Sequence, residues 1–210
     1  MGAGVQARAG LAGFVLVGGA GRRMGRDKAL LPFEGVPLAH RLAERVHSAA
    51  GSATLVGGRR RLCATLGWPI IEDLFPGRGP LAGIHSVLQQ SAAEWNLVVA
   101  CDLPFLSIGF LRFLLRAARE TSAEGTQLVV PVSSRGYELA AVVRRDCLPA
   151  AEAAMAGGDY RLSGFYARLR RREIAPAQWR RFDPDGLLFQ NVNTSEELAQ
   201  ALENVENHEL

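Results

Sequence analysis

The sequence predicts an α/β fold in which helices cover both faces of one doubly wound, mainly parallel sheet. Apolar runs of about five residues alternate with amphipathic helical stretches, the pattern of strands buried on both faces and joined by crossover helices. A glycine-rich turn stands directly after the first of these runs, where such sheets place their ligands. The 210 residues suffice for one well-buried domain and fall short of two generous ones, and 48% hydrophobic with 21% charged residues is ordinary for a globular chain. No internal repeat or long linker interrupts the pattern.

Residues 1–12 contain Arg8 and no extended apolar stretch of a secretion signal, so they read as a loose N-terminal extension. The domain is expected to span 13–202, leaving 203–210 as a tail. Strands are expected at 13–17, 53–56, 69–71, 96–100, 127–130 and 139–143. Pro37 suits a first helical residue, with Leu38, Leu42 and Val46 recurring on one face, and Pro80 opens a second helix carrying Leu81, Ile84 and Leu88. Ser107 is placed to cap a helix through Ala118, and Asp146 one through Ala156. Thr194-Ser-Glu-Glu197 has the spacing of a capping box.

Leu16-Val-Gly-Gly-Ala-Gly-Arg-Arg-Met-Gly-Arg-Asp-Lys28 puts four glycines and four cations directly after the first strand. Gly18, Gly19, Gly21 and Gly25 let the backbone turn several N–H groups towards one anion. Arg22, Arg23, Arg26 and Lys28 add charge, arginine as a planar fork and lysine as a mobile point charge. A Walker loop is excluded, because Arg26 and Asp27 follow Gly25 and Ala29 follows Lys28. A dinucleotide fingerprint fails as well, with Met24 where glycine or alanine is required.

The full string resembles the first loop of the nucleotide-sugar-like nucleotidyltransferases, approximately Leu-Ala-Gly-Gly-x-Ser-x-Arg-Met-Gly-x-Asp-Lys. Within that superfamily it is most similar to the molybdenum cofactor guanylyltransferases. The resemblance implies a Rossmann-like nucleotidyltransferase fold and nucleotide contacts along Leu16, Val17, Gly18, Gly19, Gly21, Arg23, Gly25 and Lys28, with Arg23 and Lys28 catalytic. This chain departs from the pattern at Val17 and Gly21, and the second change removes a hydroxyl but no charge.

Cys101-Asp102-Leu103-Pro104-Phe105 follows the most apolar strand and delivers a carboxylate to the sheet rim. Magnesium prefers hard oxygen donors and often takes only one or two protein carboxylates, completing its shell with water and substrate phosphates. An aspartate-containing turn held by its own backbone is the plainer reading of the same residues. The family's Cys-Asp-x-Pro-Phe/Tyr segment binds magnesium through its aspartate, and the resemblance gives that catalytic and metal-binding role to Asp102.

Asp73 ends another strand, and Gly79-Pro80-Leu81-Ala-Gly83 leads into a helix. Family members show a similar aspartate and Gly-Pro-Leu-Ala-Gly where the nucleoside is contacted, so the resemblance makes Asp73, Gly79, Pro80, Leu81 and Gly83 nucleotide-binding. A carboxylate there accepts either from guanine N–H groups or from ribose hydroxyls, and the glycines also suit a helix-initiating turn of closely packed backbones. Where the family usually carries asparagine after its second strand, this chain reads Val56-Gly57-Gly58-Arg59. That leaves backbone or Arg59 to read the base.

Asn191 and Asn193 sit one residue apart on an extended segment and so point the same way, as the donor and acceptor edge of a pterin requires. Turn and cap preferences account for the same residues. The string is close to the family's Asn-Val-Asn-Thr-Pro-Glu-Glu segment, a pair that cytidylyl-transferring relatives usually lack. Residues 159–172 place Leu162, Phe165, Tyr166 and Leu169 at helical spacing, which reads as a packed helix with solvated arginines. The alternative gives Arg161 or Arg168 the acceptor's phosphate.

The expected reaction is therefore transfer of GMP from GTP to the phosphate of molybdopterin or molybdenum-molybdopterin, with Mg2+ as cofactor. A molybdenum-insertion protein or a molybdoenzyme chaperone is the further partner implied. The alternatives are a cytidylyl or sugar-phosphate nucleotidyltransferase using the same loop, and a non-catalytic nucleotide-binding module in molybdoenzyme maturation. Cys63, Cys101 and Cys147 are odd in number and unpaired in spacing, which argues against a disulfide framework or a zinc site. His40 and His47 lie two helical turns apart and suit a helix surface better than a metal. A net charge of +3 and arginine clusters without interleaved aromatics fit an anionic small molecule better than nucleic acid. The longest apolar runs fall far below a membrane span, and a cytoplasmic location is the default expectation.

Overall fold

A computed structural model describes residues 10–17, 28–33, 35–57 and 64–206. In chain order its strands are β1 (Leu11–Leu16), the short hairpin of β2 (Pro32–Phe33) and β3 (Val36–Pro37), β4 (Thr54–Val56) and β5 (Ile70–Ile71). Then come β6 (Trp95–Ala100), β7 (Leu128–Ser133), β8 (Gly136–Tyr137), β9 (Ala140–Arg144) and β10 (Arg171–Ile174). The helices are α1 (Leu38–Ala50), α2 (Pro80–Gln90), α3 (Ile108–Glu120), α4 (Leu148–Ala156), α5 (Leu162–Tyr166), α6 (Pro176–Trp179) and α7 (Ser195–Glu206). No helix among the described residues is long and apolar enough to cross a membrane.

The main sheet runs β10-β7-β9-β6-β1-β4-β5, with β8 paired to β7. β1 lies parallel to β4 and β6, β4 to β5, and β10 to β7. β9 is antiparallel to both β6 and β7. Only residues 134–139 separate β7 from β9, too few for the crossover of a dozen or more residues that a parallel return needs.

Every residue of β1 is buried, and its side chains alternate between two cores. Leu11 and Val15 join Leu42 and Val46 of α1 and Phe110 and Leu114 of α3 on one face. Phe14 and Leu16 join Ile84 of α2, Ala151 of α4 and Phe165 of α5 on the other. Gly13 is required where α1 crosses β1, because a Cβ there would overlap Val46 and the Ser52 carbonyl. A third, smaller core joins Leu31, Phe33 and Leu38 to Val192 and Leu198, with Phe105 packed against it.

Helix ends follow local chemistry. Ser107 caps α3 as expected, its Oγ accepting from the Phe110 N–H at 3.2 Å. Pro80 opens α2 behind Gly79, whose φ of 89° favours glycine. Asp146 does not cap α4: a short 3-10 turn, Arg145–Cys147, precedes the helix, and the Asp146 carboxylate pairs with Arg144. Residues 159–172 are not one helix either. α5 stops at Tyr166, and Arg171–Ile174 pairs with β7 as an edge strand, so Arg171 and Arg172 lie on a strand and not on the solvated face of a helix. β1 begins at Leu11, two residues before its expected start, and α7 continues to Glu206.

Candidate active site

Four strand ends meet at one rim of the sheet. Leu16 stands in register with Val56 on one side and Ala100 on the other, and Val56 with Ile71. Backbone bonds continue past the strands: Val17 N–H donates to Val56 at 3.0 Å, Gly57 to Ile71 at 3.0 Å, and Cys101 to Leu16 at 3.1 Å. From β1 the chain builds outward to β4 and β5, then returns through α2 to place β6 on the opposite side. The carboxyl end of β1 is therefore the switch point, where doubly wound sheets bind ligands.

Gly18, Gly19, Gly21, Arg23 and Gly25 lie outside the described residues. The segments on either side of them are anchored: Val17 and Ala29 are both buried in the α1 core, and Lys28 opens a 3-10 turn through Leu30. Of the 24 lysines and arginines in the chain, Lys28 is the one lysine.

Asp102 stands half-buried at the rim between buried Cys101 and Leu103. Its loop is turned by Leu103 N–H to Ala100 at 3.4 Å and Leu106 N–H to Leu103 at 3.3 Å. Arg45 of α1 braces it from below, its Nη1 donating to the carbonyls of Pro104 and, at 3.1 Å, Leu106. In sequence Arg45 looks like any solvated helix arginine, and no local signal marks it. From the other side Val192 N–H donates to the Asp102 carbonyl at 2.9 Å.

That bond sets the Asn191–Asn193 segment beside the Asp102 loop. Val192 is fully buried, so Asn191 and Asn193 both face outwards, as the alternation of an extended segment requires. One half of the capping box forms, with Thr194 Oγ1 accepting from Glu197 N–H at 3.0 Å. The Glu197 carboxylate reaches one residue further than the box expects, accepting from the N–H and Nδ2 of Asn193 at 2.6 and 3.1 Å.

Asp73 is partly exposed and tied to α2. Its Oδ1 accepts from Phe75 N–H at 3.0 Å and faces the Ser86 hydroxyl at 3.3 Å. Gly79 and Pro80 are exposed at the start of α2. Leu81 is fully buried, and a Cβ on Gly83 would come within 3.1 Å of Leu16. The side chains of Leu16 and Leu81 thus pack strand against helix beneath the rim, and Gly83 permits the approach. Any ligand contact at Leu16 or Leu81 falls to backbone atoms.

Arg161 stands at the start of α5, its Nε donating to Asp159 Oδ1 at 2.9 Å and holding that carboxyl below its ordinary range. Neighbouring Tyr160 lies beside the α2 start, with the Arg78 guanidinium 5.3 Å from its ring centroid. The three acceptor-binding expectations therefore divide: Arg161 goes with the α2 start, and Asn191 with Asn193 goes with Asp102.

Among the described residues no group of three or more histidines, cysteines, aspartates or glutamates converges as a closed metal cage. A rim carboxylate such as Asp102 fits instead an ion that takes most of its ligands from water and phosphate.

A glycine loop at the switch point of a doubly wound sheet, with a carboxylate on the adjacent strand end, defines a nucleotidyltransferase of Rossmann-like fold. Residues 13–173 match the family described as MobA-like NTP transferase domain, and the chain belongs to that family. It is 33% identical to the molybdenum cofactor guanylyltransferase of Desulfosudis oleivorans over 90% of this chain and 93% of that one. The crystal structure of molybdopterin-guanine dinucleotide biosynthesis protein A from Archaeoglobus fulgidus superposes with a TM-score of 0.75 at 25% identity, covering 93% of this chain and 99% of the other. A Mycobacterium tuberculosis H37Rv protein solved with manganese shares the fold, with a TM-score of 0.65 at 16% identity over 93% of this chain and 99% of its own.

Proposed function

We propose that this chain transfers GMP from GTP to the phosphate of molybdopterin, releasing pyrophosphate and forming a guanine dinucleotide cofactor. The observation that carries the reading is the Val192–Asp102 backbone bond, which joins the two-asparagine segment to the strand end beside the glycine loop. The family membership and the guanylyltransferase names of its relatives support the same chemistry.

In this reading the triphosphate lies along Gly18–Gly25, with Arg23 and Lys28 neutralising charge on its oxygens. Asp102 holds magnesium, which supplies Lewis-acid stabilisation of the phosphates when bound. Asp73 and the α2 start, Gly79 to Gly83, flank the nucleoside, while Asn191 and Asn193 orient the pterin and Arg161 receives the acceptor phosphate. An oxygen of that phosphate forms a bond to the α-phosphorus of GTP as the bond to the β-phosphate oxygen breaks. A phosphomonoester is already nucleophilic at neutral pH, so orientation and charge neutralisation replace a strong general base. A cytoplasmic setting goes with GTP as substrate.

Gly57 favours keeping a second reading. It stands with φ 78° in the segment, Val56-Gly57-Gly58-Arg59, where the resemblance implies an asparagine, and it offers no side chain to read the base. A cytidylyltransferase on the same site is that reading. Pyrophosphate release measured with each nucleoside triphosphate, with molybdopterin as acceptor, separates the two: GTP preference is expected, and CTP preference overturns the proposal. Run across a magnesium titration, Asp102→Asn is expected to lose activity and shift the metal requirement together; an unchanged requirement removes Asp102 from the site.

A further inference from the structure

Glu138 is the one buried carboxylate among the described residues, 7% exposed, and the proposed reaction gives it no part. A buried carboxylate is costly unless hydrogen-bonded and paired, so its partners show what it holds. Its Oε1 accepts from the Ser133 hydroxyl at 2.5 Å and from Arg135 Nη2 at 3.1 Å, and the same Arg135 nitrogen donates to the Phe189 carbonyl. The Phe189 ring is wedged between Trp179 and Phe110, with centroids 4.9 and 5.5 Å away. Three residues on, Val192 donates to Asp102. On the other side of Glu138, Leu139 accepts from Ala100 N–H at 2.9 Å, two residues before Asp102. The contacts close a ring: Glu138 to Arg135 to residues 189–192 to Asp102, and back along the end of β6.

We propose that Glu138 is a positioning residue, fixing Arg135 against the Phe189 carbonyl so that the segment bearing Asn191 and Asn193 keeps its register on the Asp102 loop. The inference rests on the reading of those asparagines as acceptor-binding. The Arg135 side chain is half exposed; the buried carboxylate orients its fork, and a charge-assisted bond to a backbone carbonyl then holds the segment. Glu138 acts through Arg135 on the acceptor half of the site and leaves the nucleotide half alone.

The test uses the full chain and three near-isosteric or truncating variants: Glu138→Gln, Arg135→Ala and the double variant. Amide hydrogen exchange is followed in residues 187–193, with β1 and β6 as internal references. Exchange at Val192 is expected to speed up about tenfold in each single variant, no further in the double, with the references unchanged. In parallel, KM for molybdopterin is expected to rise about tenfold while KM for GTP stays within about twofold. Unchanged exchange at 187–193, equal acceleration in β1 and β6, or additive single effects overturn the brace. A local rise in exchange with an unchanged acceptor KM overturns the positioning role. If the wild-type chain transfers nothing to molybdopterin, the acceptor reading fails, and the exchange result still decides the brace.

Discussion

Lys28 is the one lysine in a chain whose other cationic side chains are arginines, and it stands in the glycine loop. An ammonium is a compact point charge on a flexible stem, able to follow a bridging phosphate oxygen as charge develops there, whereas a guanidinium presents a fixed plane. Lys28→Ala is therefore expected to lose about 3–4 kcal/mol of transition-state stabilisation, a fall of roughly two to three orders of magnitude in kcat. Pyrophosphate release at saturating GTP measures it, and wild-type turnover would withdraw the role. Asp102 and Arg45 show the complementary residue-scale lesson. The carboxylate announces itself by its place after an apolar strand, but the arginine that braces its loop is 59 residues away in sequence and looks ordinary there.

The crossing of α1 over β1 decides whether the rim is presented at all, because β1 carries the glycine loop at its end. Gly13 N–H reaches the Ser52 hydroxyl at 3.3 Å, and the helix lies so close that a Cβ has no room. Gly13→Ala is expected to cost about 1–3 kcal/mol by overpacking. Urea unfolding is the measurement: a lower midpoint with an unchanged slope is the expected outcome, and a midpoint equal to wild type contradicts the close approach. The same scale separates what periodicity conveys from what it hides. β1, β4 and β6 were legible as short continuous apolar runs, and α1 to α3 because their apolar residues recur at 3.6 and their ends carry proline, glycine or serine. β10 was not, since an edge strand written Arg-Arg-Glu-Ile repeats neither pattern and takes its conformation from β7.

Two cores pressed on one sheet leave ionisable groups with no route to water, and the whole molecule's stability follows their titration. Burial first, then the neighbouring Asp146 carboxylate, push the Cys147 thiol from 9.0 up to about 12, and burial raises the Tyr166 phenol as well. Below pH 9.0 both folded and unfolded chains keep the Cys147 proton, and the contribution is fully present. Between pH 9.0 and about 12 the unfolded chain releases a proton that the folded chain retains, so stability falls as pH rises. The limiting slope is about 1.4 kcal/mol per pH unit for one such group. Cys147→Ala is expected to flatten this alkaline limb in urea unfolding between about pH 9 and 11, with Tyr166 and Tyr137, both raised first by burial, contributing to what remains. An equally steep limb in the variant would assign it elsewhere.

The sequence by itself determined the doubly wound class, the order of its main strands and helices, the glycine loop after β1, the Asp102 turn after β6 and the paired asparagines before α7. Each of these is written in neighbouring residues, through period, cap and spacing. Only the tertiary structure decided that Asp73 is tethered to Ser86, that Tyr160, next to Arg161, lies beside the α2 start, that Arg45 reaches the Asp102 loop, and that Arg135 joins Glu138 to the Phe189 carbonyl. These depend on which strand ends fall into register and which distant segments then touch. Val192 and Asp102 meet where Phe105 of the loop after β6 and Val192 before α7 share one small core, a relation that leaves no local mark in either segment.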